Sequence, residues 1–326
     1  RRRRAIAVSL LTITVVVLVC AFALHFSPLF ALIPAALLAA VLALGVRASK
    51  QAVAWERKVA RYHAKVKKRA AAERKRAQAE QAERARLRAQ ELAEARKTIV
   101  GLEAIPENNV VNFARLYKAY KSYVGENHIG ALCSRCWPDF FTEFGTPVCS
   151  VLSLLNANGV SASCESDAYG ALSMFIGSDL TSRSCFFGDP VSMNEKEGTI
   201  TFWHCGMAAC DLARKDTGAQ VGVHPNRKIG PVMDFGCEAC EHVTIFRVGR
   251  KPDGSFRFFI AEGSALDKPK QFNGTSVVVK TVESAKDVVY GTVKGGWEPH
   301  FVVVYGQVAN ELEKLGNMLG VEVCKF

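Results

Sequence analysis

The sequence predicts four consecutive parts: a two-pass transmembrane helical hairpin, a long basic helix, a partial α/β layer and a mainly antiparallel β domain. Two long uncharged runs stand near the N-terminus, and the segment that follows them lacks Gly and Pro. Later segments are rich in β-branched residues and are separated by Gly, Pro and Asn turns, which is typical of strands. We place these parts at residues 1–46, 47–100, 101–180 and 181–326.

The hairpin prediction depends on two apolar runs, residues 5–24 and 29–46. Each is about long enough to cross the hydrocarbon core of a bilayer as a helix. The polar residues 25–28 between them include a proline and predict a turn. Basic residues flank both outer ends, so the positive-inside rule places both ends in the cytoplasm and anchors the rest at the inner face of the cell membrane. The alternative is a buried hairpin of a soluble domain.

Residues 47–98 are rich in Ala, Arg, Lys, Glu and Gln, which favour a helix. Residues 1–100 contain 21 Lys and Arg against 6 Asp and Glu, whereas the rest of the chain contains 21 against 25. The basic character is therefore confined to the first third, where it favours contact with anionic lipid head groups. Aromatic residues do not alternate with these basic ones, so we expect no specific nucleic-acid partner.

From about residue 105 onward, helical periodicity alternates with short strand patterns, which predicts a partial α/β layer up to residue 180. After residue 181 most segments are strand-like. The clearest are "GTITFWHC", "EHVTIFRV", "FRFFIAEG", "TSVVVKTV" and "HFVVVYG". The segment "QVANELEKLGNMLG" predicts a final helix.

The chain has 11 cysteines, and all but Cys20 lie after residue 100. The pairs Cys133/Cys136 and Cys237/Cys240 have the spacing of zinc ribbons, but the sequence between the pairs is far longer than in such sites. We therefore expect reduced core thiols of a cytosolic protein.

Four side chains that could carry chemistry stand where an apolar segment meets a turn: Glu165, Asp189, His204 and His300. Carboxylates and imidazoles are the ligands expected for Mn²⁺ or Zn²⁺. Asp189 follows a Gly and precedes a Pro, which predicts a bend, and a buried carboxylate there needs a partner. A turn, a basic side chain or a metal ion could supply it. Spacing alone favours helix caps and hydrogen-bonded core histidines.

Two strings shift this balance: "GALCSRCWPDFFTEFGTPVCSVLSLLNANGVSASCESDAYGALSMFIGSDL" and "FFGDPVSMNEKEGTITFWHCGMAACDLA". They closely resemble the L-fucose isomerase family, whose relatives include L-arabinose isomerase, and the resemblance runs from about residue 105 to 326. It implies that Glu165 in "CESD" and Asp189 in "FGDP" bind Mn²⁺, or another divalent cation, and flank the sugar. It also implies that His300 completes the metal site. His204 resembles an additional histidine ligand of arabinose isomerases.

The resemblance implies interconversion of an aldose and a ketose, with a monosaccharide as substrate, through an enediol(ate). Glu165 and Asp189 are the implied proton-transfer residues. Arg135, Trp203 and Trp297 adjoin the motifs and are candidate substrate-binding residues, with core packing as the alternative. A homo-oligomer is also implied, because family subunits help to cover each other's active sites.

Members of that family carry further α/β sequence where this chain has the apolar hairpin and the basic helix. We therefore expect either an enzyme with its own membrane anchor or a fusion of unrelated pieces. A second hypothesis is a membrane-tethered, non-catalytic sugar-binding or scaffold protein that keeps the isomerase C-terminal fold. Binding of Mn²⁺ separates the two hypotheses, because only the isomerase needs the ion.

Overall fold

The structure is a computed structural model that describes residues 2–23, 29 and 32–326. The chain divides into two compact units, Arg1–Arg84 and Ala85–Phe326.

Two helices account for the N-terminal segments, α1 at Arg2–Ala23 and α2 at Leu32–Thr98. The predicted turn at residues 25–28 lies outside the described residues. α2 continues without a break from the second apolar run through the basic segment, in agreement with the helix predicted over 47–98.

Only one helix in the described part of the chain is long and apolar enough, by length and composition, to cross a membrane. It lies within α2, at Ala35–Leu87. The apolar stretch of α1 that the same criterion considers, Val8–Ala23, is shorter than such a span.

The second unit contains six further helices and eleven strands among its described residues. The helices are α3 (Glu107–Glu126), α4 (Asp139–Thr142), α5 (Cys149–Ala157), α6 (Ala168–Thr181), α7 (Ala285–Lys294) and α8 (Ala309–Leu319). The strands are β1 (Ala131–Cys133), β2 (Ser161–Ser163), β3 (Phe186–Asn194), β4 (Thr199–His204), β5 (Val221–Gly222), β6 (Val232–Met233), β7 (Cys240–Arg250), β8 (Phe256–Ala265), β9 (Thr275–Thr281), β10 (Phe301–Val304) and β11 (Glu322–Lys325).

The predicted α/β layer consists of two short parallel strands, β1 and β2, with α5 and α6 beside them. The helix α6 also packs against β7 and β10, so it joins this small layer to the β domain. Gly170 and Gly177 of α6 face Phe187 and the side chain of Val304, with no room for a larger residue. Close packing at these glycines holds the two layers in register.

The β domain is a closed barrel. Its strands follow the order β8, β7, β10, β3, β4 and β9, and β9 pairs back with β8. All of these pairings are antiparallel, which confirms the predicted class of the domain. The last strand, β11, pairs in parallel with β8 outside the ring.

The core of this domain surrounds β10, all four of whose residues are buried. The Val-Val-Val run at 302–304 lies between β3 and β7, and Phe186 and Phe187 of β3 are fully buried beside it. Complete burial of each such side chain contributes about 1.5–3 kcal/mol.

The bend predicted at Asp189 is wrong. Asp189 and Pro190 lie inside β3 and pair with Trp203 and Phe202 of β4, and the irregularity comes one step later, as a β-bulge between Pro190 and Ser192. A bulge leaves a residue unpaired and therefore accommodates a nearby proline that lacks an N–H.

Candidate functional site

Three neighbouring strands of the barrel carry three of the predicted site residues. Asp189 lies in β3 opposite Trp203 of β4, and His204 is the next and last residue of β4. On the other side of β3, Phe301 pairs with Gly188, so His300 stands beside Asp189 at the start of β10. Antiparallel pairing therefore brings side chains far apart in sequence to one end of the barrel.

Gly188 is required by this arrangement. A Cβ at that position would lie 2.5 Å from the carbonyl oxygen of Trp203 and 2.8 Å from the ring of Phe186. Any side chain would push β3 away from β4 and would displace the adjacent carboxylate of Asp189.

Glu165 reaches the same place from the α/β layer, two residues after the end of β2. Glu165 and Ser166 have φ values of 59° and 58°, a left-handed conformation that is uncommon for residues other than glycine. Two consecutive residues of this kind turn the chain sharply, so that Glu165 points towards the barrel strands. Such strained backbone concentrates at functional sites.

These four residues form what we call the carboxylate–imidazole cluster: Glu165, Asp189, His204 and His300. His300 Nε2 lies 3.6 Å from an oxygen of Glu165 and 3.8 Å from an oxygen of Asp189. His204 Nε2 lies 3.9 Å from the other oxygen of Glu165. The two histidines are buried, whereas the carboxylates are partly exposed, so the cluster opens to solvent on its acidic side.

A buried ion pair fixes the orientation of His300. Its Nδ1 lies 3.0 Å from Oδ2 of Asp167, and Arg247 donates two hydrogen bonds to the same carboxylate at 2.5 and 2.9 Å. Burial raises the pKa of Asp167, but His300 and Arg247 outweigh it and hold that pKa well below its usual range. The ionised carboxylate accepts the Nδ1 proton, so the ring is held with Nε2 facing Glu165 and Asp189.

His204 has a different hydrogen-bond arrangement. The backbone N–H of Cys205 donates to its Nδ1 at 3.0 Å, so the ring proton is on Nε2 and faces Glu165. Burial lowers the pKa of His204, but the neighbouring Cys205, Glu165 and Asp189 outweigh it and raise the pKa to about 9. The site therefore favours a protonated Nε2, which can donate a hydrogen bond.

The donor set of the cluster fits a divalent metal ion. Atoms of Glu165, His204 and His300 all lie within 4.8 Å of one another, and Asp189 adds a second carboxylate; Glu165, Asp189 and His300 are suited to bind the ion, whereas His204 faces it with a proton on Nε2. The Nε2 of His204 is buried and has no hydrogen-bond partner among the described residues. A buried polar atom without a partner is costly, so the site is suited to a group that the chain itself does not provide.

A cleft of about 380 Å³ opens beside the cluster. It is lined in part by Arg135, Trp137, Glu165, Cys205, His224 and Arg227. Arg135, one of the predicted substrate-binding residues, thus shares this cleft with Glu165.

The two tryptophans predicted to bind substrate, Trp203 and Trp297, are not among the residues that line this cleft. Trp203 donates its indole N–H to the carbonyl of Asn273 at 2.7 Å, beside the cluster. Trp297 packs edge-on against Phe259 and lies under the guanidinium of Arg257 at 3.9 Å. None of its described ring contacts is with the cluster.

Asp167 and Arg247 were missed in the sequence. Asp167 stands two residues after Glu165, and its side chain accepts the N–H of Gly170 as the N-cap of α6, a recognisable helix-start signal. Arg247 is a charge in the middle of the apolar run "EHVTIFRV". A charge in a buried strand requires an oppositely charged partner, so Arg247 could have been predicted from the sequence to form a buried ion pair.

The chain is similar to known sugar isomerases. Residues 230–326 match the family model of the L-fucose isomerase C-terminal domain. The chain is 64% identical over 228 residues to the sulfoquinovose isomerase of Clostridium sp. (strain MSTE9). This match covers 70% of this chain and 51% of that protein. It is 45% identical over 233 residues to the sulfoquinovose isomerase of Priestia aryabhattai, covering 71% of this chain and 52% of that protein.

The chain therefore spans about half the length of these relatives. The family-model match covers strands β6 to β11 and so includes His300, and it begins after Asp189 and His204. The C-terminal part of this chain belongs to the L-fucose isomerase family.

Proposed function

We propose that this protein is a Mn²⁺-dependent aldose–ketose isomerase. The observation that carries the proposal is the convergence of Glu165, Asp189 and His300, with Nε2 of His300 held towards both carboxylates by Asp167. These three side chains would hold the ion. His204, with its proton on Nε2, would donate a hydrogen bond to Glu165 or to a sugar oxygen in the cleft.

The reaction requires one proton to leave the carbon next to the carbonyl and one to reach the carbonyl carbon. A divalent ion supplies positive charge that polarises the two sugar oxygens. Glu165 and Asp189 both lie within 4 Å of His300 Nε2, and one of them would take the C2 proton as general base. The electron pair of that C–H bond forms the C1–C2 double bond of an enediol(ate). The carbonyl electron pair moves to O1, which takes up a proton; return of the first proton to C1 and loss of the O2 proton to solvent then give the ketose, with no net oxidation.

The cleft also indicates the class of substrate. Arg135 and Arg227 line it, and Arg227 stacks on Trp137 at 4.2 Å, which orders the guanidinium. Guanidinium groups pair well with planar or trigonal oxyanions. Because the relatives are named sulfoquinovose isomerases, we propose that these arginines bind the sulfonate of a sulfonated aldose.

Replacing Arg227 by Gln should therefore raise the KM for sulfoquinovose by about tenfold, the loss of roughly 1.4 kcal/mol of binding. The kcat should change little, because the sulfonate is remote from the reacting carbons. Steady-state kinetics on full-length protein measure both values. The exposed Arg250, which bonds the carbonyl of Gly254 in a turn, is the matched control. A tenfold fall in kcat with no change in KM would contradict sulfonate binding by Arg227.

Replacing Glu165 by Gln should lower the affinity for Mn²⁺ by at least about tenfold. The amide keeps the shape of the side chain but removes the negative charge from the ligand set. Equilibrium dialysis with metal analysis should give about one Mn²⁺ per wild-type chain and a much weaker site in the variant. Glu241→Gln, at an exposed glutamate, is the control. A wild-type chain that binds no Mn²⁺ would favour the scaffold hypothesis.

We further propose that the apolar N-terminal segments anchor the protein at the cytoplasmic face of a membrane. Two observations support this proposal. One helix segment within α2 is long and apolar enough to cross a membrane, and large apolar side chains such as Val19 and Leu44 are exposed along α1 and α2. The open cleft, with Glu165 half-exposed, also favours a homo-oligomer whose neighbouring subunit covers it.

Deletion of residues 1–46 should release the protein from membranes into the soluble fraction. The deletion removes the apolar runs but leaves the compact unit Ala85–Phe326 intact. Flotation on a density gradient measures the partition of each form. If the full chain stayed at the bottom of the gradient with the deletion variant, membrane anchoring would be excluded.

A further inference from the structure

A second group of metal-binding side chains lies beneath the cleft, in the α/β layer. The sulfur atoms of Cys136, Cys149 and Cys164 all lie within 4.8 Å of one another, and all three residues are buried. We call these three residues the thiol cluster. None of them belongs to the carboxylate–imidazole cluster.

The fold brings these cysteines together from three separate elements. Cys136 follows β1 and Cys164 directly follows β2, and the two strands are parallel, so their carboxyl ends meet at one edge. Cys149 is the first residue of α5. The positive end of a helix stabilises a thiolate at this position.

The thiol cluster differs from an ordinary buried cysteine in its hydrogen bonding. The thiol of Cys185, equally buried, donates to the carbonyl of Met174. Within the described part of the chain, no side-chain hydrogen bond joins Cys136, Cys149 or Cys164 to a hydroxyl or a carbonyl, and their sulfur atoms lie close to one another instead. Three buried sulfurs within this distance form a donor set of the kind that soft metal ions prefer.

We propose that the thiol cluster binds a thiophilic divalent cation such as Zn²⁺. Zinc–sulfur bonds of about 2.3 Å place tetrahedral sulfurs about 3.8 Å apart, so the three sulfurs would close by at most about 1 Å. The three sulfurs would supply three of the four tetrahedral positions, and a water molecule from the cleft would take the fourth. Each thiol that binds loses its proton to solvent, and no electrons are transferred.

The cleft gives the ion a path to this site. Cys136 and Cys205 are both part of the cleft wall, whereas Cys149 and Cys164 lie behind them without solvent exposure. A bound ion would join the segment that carries Arg135 to the segment that carries Glu165, because these residues directly adjoin Cys136 and Cys164. It would thus be a structural ion that positions one wall of the cleft.

Cadmium is the probe for this site, because its thiolate complexes show a sulfur-to-metal charge-transfer band in the ultraviolet and its carboxylate or imidazole complexes do not. We would titrate reduced, anaerobic full-length protein with Cd²⁺ in the presence of excess Mn²⁺. The wild-type chain should bind one Cd²⁺ with a strong thiolate band, and Zn²⁺ should displace it.

Cys149→Ser and Cys136→Ser should each lower the affinity for Cd²⁺ by at least about a hundredfold and weaken the band, with circular dichroism as the check on folding. Cys185→Ser is the matched control at a buried thiol outside the cluster and should keep the band. Glu165→Gln should also keep it, so failure of the proposed isomerase site and failure of the thiol site give different results.

Two results would overturn the proposal. One is a wild-type protein without the band although all of its cysteines titrate as free thiols after denaturation. The other is a band that persists unchanged in a folded Cys149→Ser or Cys136→Ser variant. Binding of Cd²⁺ without a thiolate band would also count against it, because the ion would then be held by oxygen or nitrogen ligands.

Discussion

Asp189→Asn should reduce Mn²⁺-stimulated ketose formation by about 10²–10⁴-fold and leave the fold intact, since proton transfer by a positioned carboxylate contributes that much. Asn fits the same position in β3 but has no charge for the ion and no basic oxygen for the substrate proton. The side chain is partly exposed, so its loss of charge costs the folded state little.

Coupled detection of the ketose product measures this loss, and circular dichroism checks the fold. Asp253→Asn is the control, because Asp253 accepts hydrogen bonds from Ser255 in an exposed turn away from the barrel strands. Unchanged turnover in a folded Asp189→Asn variant would remove Asp189 from the mechanism and leave Glu165 as the proposed proton-transfer residue.

Arg247→Met should lower the free energy of unfolding by about 3–5 kcal/mol, because it leaves the carboxylate of Asp167 buried without its cation. Both partners are largely buried, at 1% and 11% side-chain exposure, so water does not replace the lost contact. The same change should weaken Mn²⁺ binding by about 10–100-fold, since Asp167 then no longer orients His300.

Urea denaturation gives the stability, and metal titration of the folded fraction gives the affinity. Arg257→Met is a matched control at another buried arginine, which donates to the carbonyls of Gly295 and Gly296 and forms no ion pair with a carboxylate among the described residues. The Arg257→Met change should lower the free energy of unfolding by less than Arg247→Met does and should leave the affinity for Mn²⁺ unchanged. A double variant that also replaces Asp167 by Leu should recover part of the stability but none of the metal affinity. Equal stability losses in both arginine variants would contradict the role of the ion pair.

The strands of the β domain could be predicted because their residues alternate or run continuously apolar between clear turns. "GTITFWHC" and "FRFFIAEG" became β4 and β8 with nearly the predicted ends. Closure of the sheet by pairing of β8 with β9 could not be predicted, because register between strands depends on contacts that no single segment contains.

Two local errors have physical explanations. The bend expected at Asp189 was inferred from its flanking Gly and Pro, yet Gly188 is there for close packing against Trp203, and a bulge accommodates the proline. The helix α7 was not predicted, although Ala285 and Val288 form a buried stripe at helical spacing. The valines of that segment also suit a strand, so the two patterns overlap.

For the candidate site, motifs indicated Glu165, Asp189, His204 and His300, and the structure brings these four together. The cysteines were compared by sequence spacing alone, which paired Cys133 with Cys136. The structure instead places Cys136 beside Cys149 and Cys164 and leaves Cys133 exposed. Neighbours in a folded layer are set by strand order, which spacing along the chain does not show.

The position of β10 in the ring has a consequence for how the molecule assembles during synthesis. β10 fills the space between β3 and β7, so these two strands keep unpaired edges until residues 301–304 have been made. Such edges readily pair with other chains, and contacts between distant segments form slowly. A stalled or shortened chain that ends before β10 would thus lack His300 and would expose two unpaired strand edges that can pair with other chains. Synthesis of His300 and β10 would therefore complete the proposed Mn²⁺ site and cover the edges of β3 and β7 at the same stage.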